Sequence, residues 1–553
     1  MGVTLRERRA ALARFLARRA ALPLTALVAT GCGSEPSPSP SPSPLAACPE
    51  TQIAQADGSC VPVGVPPIGC AAGFVAEANG CAPLLPSEPC PDGTLALPGD
   101  SECHELSSCG QGTWGDIPSE AGTQYVDAAY GGADGDGTPA RPWTSIAAAL
   151  GAASPGAIVA IAAGSYPESA PIIGKPVRLW GRCPALVELV GQPGDYAAID
   201  VEAGADGSEV RGLAVRGSTI GLSVSGSVDV RIESVWLHDT DDRGLDVEDS
   251  LGPTSATIHN LLVERAAITA LYVGSASVQI DGAALRDGRP TPQGDYGRGI
   301  TIEGSPPYAT PSTVDIRRAL VERNVEGGVT VTGSALTLEA SVIRDTQVRA
   351  SDQLIGRGLD AITSTVTVRS SVVERNYEYA ISCVHGSACV VDNSVMRDTR
   401  SVLPTGIRGG GLNAYESQLL ARGVLLEGNR SFGLSVVDAS VRLERALIRG
   451  TLVGDNGLLG DGVVLLSIQQ PTELQWQNGR VESSARAGVA AFGSTVRLDH
   501  AELECNTIQL DAEPIGQRPA SFADLGGNVC GCQGEHTECQ AVTTSLEPPL
   551  PPE

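Results

Sequence analysis

The chain is predicted to be all-β: a right-handed parallel β-helix (solenoid) with an N-terminal capping helix, preceded by a small disulfide-rich module. Three observations predict it. Segments Val321–Val331, Val373–Cys383 and Leu426–Val436 repeat one pattern, an apolar residue, Glu, one variable residue, Asn, and then a β-like stretch. A second family, Leu285-Arg286-Asp287, Ile343-Arg344-Asp345, Met396-Arg397-Asp398 and Ile448-Arg449-Gly450, interleaves with the first, and equivalent positions recur every 52 to 58 residues. Within a repeat, Val329, Val331, Leu336 and Leu338 fall on one side of a two-residue alternation, which is the period of a strand. Strands this short make a sheet only by stacking on copies of themselves, so a fixed long period implies a solenoid. A propeller or a sandwich would need Asn-Gly or Asp-Gly hairpins at even spacing, and the sequence does not distribute them so.

From the N-terminus, Arg6, Arg8, Arg9, Arg14, Arg18 and Arg19 precede a short apolar run, Ala20–Ala29, and then Thr30-Gly31-Cys32. A basic start, an apolar stretch too short to span a bilayer and small residues before a cleavage point make a secretory signal over residues 1–31. The cysteine after Ala29-Thr30-Gly31 resembles a lipobox, which implies a bacterial lipoprotein acylated on Cys32; Gly33 in the next position points to the outer membrane. Residues 32–44 end in alternating Ser-Pro, which cannot bury a core and favours extended polyproline II, a spacer.

Fifteen cysteines in an exported chain read as disulfides, and removing Cys32 leaves an even fourteen. Seven lie in residues 45–112, the predicted cysteine-rich module, with no Cys-x-x-Cys pair to favour zinc. Because seven is odd, one partner lies elsewhere, and Cys183 is the predicted one. Cys383 and Cys389 align with core positions Val331 and Leu336 and are a candidate disulfide.

Residues 113–156 are predicted as linker and capping helix, with Thr144 or Ser145 as N-cap before an alanine-rich stretch. An Asp/Gly turn, the run Pro142-Trp143-Thr144-Ser145-Ile146 and a strand ending Ala163-Gly164-Ser165-Tyr166 resemble the opening of pectin-lyase-like β-helix domains. In that family the helix covers the open end of the first coil. The β-helix itself is placed at 157–510, with room for roughly a dozen coils at ~4.8 Å each. A cysteine-containing cap at 511–540 and a disordered tail at 541–553 complete the chain.

For function, a formal charge of −26 excludes nucleic acid as a partner, since phosphate binding needs a cationic face. Every second coil carries a long excursion, and coils in register place these loops on one face, where β-helix proteins of the resembled family hold extended polysaccharides. Arg298, Arg357 and Arg408 end three loops, with Asp295, Asp352, Asp455 and Asp461 and the ring of Tyr296 beside them. Arg forks clamp carboxylates or hydroxyls and Tyr stacks on sugar rings; the other reading is that the Arg–Asp pairs only tie the loops down. Asn324, Asn376 and Asn429 share a coil position and read as a ladder of amides bonding one another. The run from His238 to Asp249 offers Asp239, Asp241 and Asp242 as Ca²⁺ ligands, although alternate facing and the lack of EF-hand spacing favour a solvated acidic edge; no other cofactor is implied. The catalytic blocks of β-helical polygalacturonases and pectate lyases are missing apart from Asp241-Asp242. The expectation is therefore a cell-envelope-anchored lipoprotein that binds a glycan or serves as a surface or adhesion element. The alternative is a divergent polysaccharide lyase or glycoside hydrolase.

Overall fold

Each repeat of the sequence buries its alternating face by lying on the repeat before it, and the result is a parallel β-solenoid. The computed structural model describes residues 48–549 apart from 56, 218, 305–309, 403–404, 407 and 533–534, so Cys32 and the Ser-Pro spacer lie outside the described residues. One sheet, here sheet A, stacks fourteen parallel strands, from Ala170–Ile172 to Ile508–Glu513. The rest of each coil belongs to a second, larger sheet of parallel strands, sheet B. Inward positions of sheet A align aliphatic on aliphatic: Leu245, Leu271, Ile300, Val329, Leu359, Ile381 and Leu412 follow one another in register, each no more than 1% exposed.

The start of the rod is capped as the sequence predicts. Ser145 is the N-cap of the helix Ile146–Ala152, its hydroxyl accepting from Ala148 N, while Ile146, Ala149 and Leu150 face the core. Glu168 accepts from the amides of Ile146 and Ala147, so two of the helix's free N–H groups are satisfied by a carboxylate.

Registration explains the two interleaved sequence families. Glu264, Arg286, Glu322, Arg344, Glu374, Arg397, Glu427 and Arg449 occupy one position on successive coils of sheet B, so opposite charges alternate. The following residue alternates in the opposite phase, and Arg265–Asp239, Arg323–Asp287 and Arg375–Asp345 are two-pronged pairs between neighbouring coils at 2.7–3.0 Å. A two-coil sequence period is what this checkerboard requires, since like charges on adjacent coils would repel.

The asparagines do not form a ladder of amides. Because they sit two coils apart, the intervening coil presents Thr346 or Thr399, and each Asn bonds the neighbouring backbone instead. Asn376 Oδ1 accepts from Thr346 N at 3.0 Å and its Nδ2 donates to Ile343 O at 3.2 Å; Asn324 and Asn429 do the same.

The cysteine-rich segment predicted as a module does not stand apart from the β-solenoid. It runs along the rod antiparallel to the stacking order. Arg480 donates to Gln52 O, Gly64 N donates to Arg445 O, Arg397 pairs with Glu77, Gly93 N donates to Glu264, and Arg182 donates to Cys109 O. A segment too small for its own core instead buries Ile53, Val63 and Val65 against Val372, Val395, Leu425 and Leu447, and Leu95 and Leu97 against Leu262 and Ala284. Its disulfides are Cys48–Cys60, Cys70–Cys81, Cys90–Cys103 and Cys109–Cys183, the last joining strap to rod. Cys383–Cys389, Cys505–Cys532 and Cys530–Cys539 complete seven. Such a set belongs to an exported protein. Among the described residues no helix is long and apolar enough to cross a membrane. Beyond the cap, Val542 N donates to Leu510 O and Thr544 bonds Asp511, so this part of the predicted tail lies on the last coils.

Candidate functional site

With one face of sheet A committed to the core, its alternate residues form columns on the outer face. The middle column, one residue per coil, reads Asp200, Ser223, Asp246, Tyr272, Thr301, Thr330, Asp360, Ser382, Asn413 and Ser435. It then turns apolar at Val464 and Ala490 before Asp511. Four carboxylate and amide oxygens of the column are buried without a hydrogen-bond partner: Asp246 Oδ1, Asp360 Oδ1, Asn413 Oδ1 and Asp511 Oδ2. Leaving a buried acceptor unmet costs about 1–3 kcal/mol, so four in one line mark a face the fold does not satisfy by itself.

The acidic end of this face is the richest. Asp246 is fully buried; its Oδ2 accepts from Arg243 Nη1 at 2.7 Å and from the Tyr196 hydroxyl at 3.4 Å. Burial pushes its carboxyl up to about 6 despite the guanidinium beside it. Two coils earlier in the same column, burial and the neighbouring Glu202 also push Asp200 up to about 6. Arg243 lies 3.9 Å from the centre of the Tyr272 ring, whose hydroxyl donates to Glu303 at 2.7 Å. Tyr196, 53% exposed, also reaches Glu248. Two tyrosine rings, a guanidinium and several carboxylates thus share one patch.

The predicted loop residues sit at the margin of the same face, mostly paired. Arg298 bonds Glu326, and its guanidinium lies 5.2 Å from the Tyr296 ring, which is 41% exposed. Arg357 makes a fork to Glu378 at 2.8 and 3.0 Å and a bond to Asp360 at 2.8 Å, while Arg408 lies 3.5 Å from the same Glu378. The loops stack in pairs: Ser351 Oγ donates to Asp295 at 2.6 Å, and Asn456 N to Gly406 O. Asp352 is held by Arg349, whose bond lowers its pKa; Asp455 pairs with Arg430 at 3.0 Å. Asp461 is buried against Arg486, and burial raises its pKa. Arg298, Arg357 and, four coils farther on, Asp461 therefore share one edge column of sheet A, whereas Asp352 and Asp455 serve the loops.

The acidic run splits three ways. Asp239 is held by Arg265, which lowers its pKa; Asp241 is exposed 4.0 Å from Arg289; Asp242 is half-buried, and burial raises its pKa. They do not converge, and the described residues contain no cluster of three or more His, Cys, Asp or Glu arranged to hold a metal ion. Sequence reasoning did not single out Tyr196, Asp200, Arg243, Asp246 and Tyr272. The signal for part of it was present: Arg243-Gly244-Leu245-Asp246 recurs as Arg357-Gly358-Leu359-Asp360.

No protein-family model matches the chain, and no curated protein matches it. Among solved structures it is similar to the catalytic unit of a thermostable GH87 alpha-1,3-glucanase from Streptomyces thermodiastaticus strain HF3-3, at 15% identity and a TM-score of 0.44 over 77% of this chain and 71% of that one. It is similar also to the periplasmic alginate epimerase AlgG, at 11% identity and a TM-score of 0.34 over 62% of this chain and 78% of that one.

Proposed function

We propose that this is an exported glycan-binding protein that holds an extended polysaccharide along the outer face of sheet A. The observation that carries the reading is the column of buried, unpartnered oxygens at Asp246, Asp360 and Asn413, flanked by the rings of Tyr196 and Tyr272. Sugar hydroxyls donate to such oxygens, and a sugar C–H face packs on an exposed ring such as that of Tyr196. The rise of ~4.8 Å per coil is on the scale of one sugar residue, so a chain lying along the rod meets the column in step. Neither a cofactor nor nucleic acid enters this reading. Affinity electrophoresis of the full chain through gels containing neutral and acidic polysaccharides tests it. Retardation by at least one, weakened by Tyr196→Ala, is expected; unchanged mobility in all of them overturns it.

One observation favours a second reading, that the glycan is also cleaved. Asp200 and Asp246 both stand near pKa 6 and lie two coils, ~9.6 Å of sheet, apart, and glycosidases use paired carboxylates with one held protonated. Release of reducing ends, lost in Asp246→Asn, would establish it, and binding without turnover would exclude it.

The reading includes attachment to the cell envelope through a lipid on Cys32, with Gly33 directing it to the outer membrane. Cys32→Ala is expected to abolish incorporation of labelled fatty acid, and continued labelling would overturn the anchor.

A further inference from the structure

The tetrapeptide Arg-Gly-Leu-Asp occurs twice on sheet A, at 243–246 and 357–360. In register, Asp246 is followed by Tyr272, Thr301, Thr330 and Asp360, so the two copies stand four coils apart, ~19 Å along the rod. Each copy pairs its arginine and aspartate in the same way. The arginine Nη1 donates to the aspartate Oδ2, at 2.7 Å in the first and 2.8 Å in the second. The aspartate Oδ1 is left buried and unpartnered in both. A tyrosine of the following coil lies under the guanidinium, Tyr272 at 3.9 Å and Tyr379 at 5.9 Å, the first in register with the aspartate and the second with the arginine. The glycine is dictated by packing: a Cβ at Gly244 or Gly358 would sit 2.6 or 2.5 Å from the carbonyl oxygen of the next coil.

We propose that Arg243–Asp246–Tyr272 and Arg357–Asp360–Tyr379 are two related subsites for a neutral, hydroxyl-rich glycan, spaced so that one chain occupies both. The proposal rests on the glycan-binding reading and adds to it the number of subsites, their spacing and the charge of the ligand. The neutral class follows from how the arginines are used. Arg243 faces Asp246, Asp242 and Glu248, and Arg357 is bonded to Asp360 and Glu378. Each guanidinium already faces two or more carboxylates, so neither site carries net positive charge for a carboxylate or sulfate; each Oδ1 accepts from a neutral hydroxyl, and the one unfilled donor, Arg243 Nε, is met by a hydroxyl oxygen equally well. Between the copies, Arg298-Gly299-Ile300-Thr301 has threonine at the aspartate position, so it lacks the free carboxylate oxygen and shows that the fold accepts Thr there.

The test is isothermal titration of the full chain with cello-, laminari- and malto-oligosaccharides of two to eight residues, with oligogalacturonates as the anionic arm. One neutral series is expected to bind at two short oligomers per protein. Once the oligomer is long enough to bridge both subsites, stoichiometry falls to one and affinity rises by about 100-fold. Asp246→Thr and Asp360→Thr, with melting and circular dichroism as the check on folding, should each leave one short-oligomer site and remove the long-chain gain. One short oligomer per wild-type protein, no loss of stoichiometry in either variant, or preference for oligogalacturonate overturns this proposal while the glycan reading stands. If no oligosaccharide binds the wild type, the glycan reading itself fails.

Discussion

Arg286 and Glu264 lie on adjacent coils with side chains 2% and 1% exposed, the guanidinium Nε donating to Glu264 Oε1 at 2.9 Å. The pair also fastens the cysteine-rich strap. Glu264 accepts from Gly93 N and Trp236 Nε1, and Arg286 donates to the carbonyls of Pro91 and Thr94. Removing one partner of a buried ion pair leaves an uncompensated charge at a cost of about 3–5 kcal/mol. Glu264→Ala should therefore lower the denaturation midpoint sharply and make the strap around residue 93 sensitive to protease. Equal stability of the single variant and wild type would contradict this.

Asn376 satisfies two backbone groups at once, Thr346 N–H and Ile343 C=O, inside the rod. Asn376→Ala orphans both, with an expected cost of about 2–3 kcal/mol. Hydrogen exchange localises it: the Thr346 amide should exchange faster, while amides several coils away stay protected.

The carboxyl of Asp246, raised to about 6, holds its proton more tightly folded than unfolded, where aspartate titrates near about 4. The folded state then binds more protons between those values, so this group's contribution makes stability fall as pH rises from about 4 to about 6. The stability of wild type relative to Asp246→Asn should drop over that window, by about 3 kcal/mol, and level off above it. Parallel pH profiles for the two proteins would refute the assignment.

Cys109–Cys183 joins residues 74 apart in sequence and ties the strap to the first coils. Closing a loop of that length constrains the unfolded chain by about 4 kcal/mol in the chain-entropy account. Replacing both cysteines with Ala should lower the guanidinium midpoint more than the same change at Cys383–Cys389, which closes a separation of 6. The reverse order would show that burial outweighs loop entropy here.

The sequence by itself determined the solenoid, its capping helix and its disulfide-rich start. Alternation at Val329, Val331, Leu336 and Leu338, a period of 52 to 58 residues and a cap at Thr144 or Ser145 are local signals, and they need no partner to be read. It also put the partner of the strap's odd cysteine outside the strap, by parity, and pointed to Cys183 because it is the next cysteine along the chain, at the start of the rod. What only the tertiary structure decided depends on register between residues far apart. That Glu322 faces Arg344 and Arg286, that Asn376 bonds a backbone rather than another amide, and that Asp200, Asp246 and Asp360 share one column follow from which coil lies on which. Excursions of unequal length separate those residues in the chain, so spacing cannot reveal the columns. The bend in sheet B makes the same point. Ser234, Asn260, Arg318, Ala340 and His500 all adopt positive φ at equivalent positions. No residue type marks the bend, because stacking against the neighbouring coil, rather than local preference, holds the backbone there.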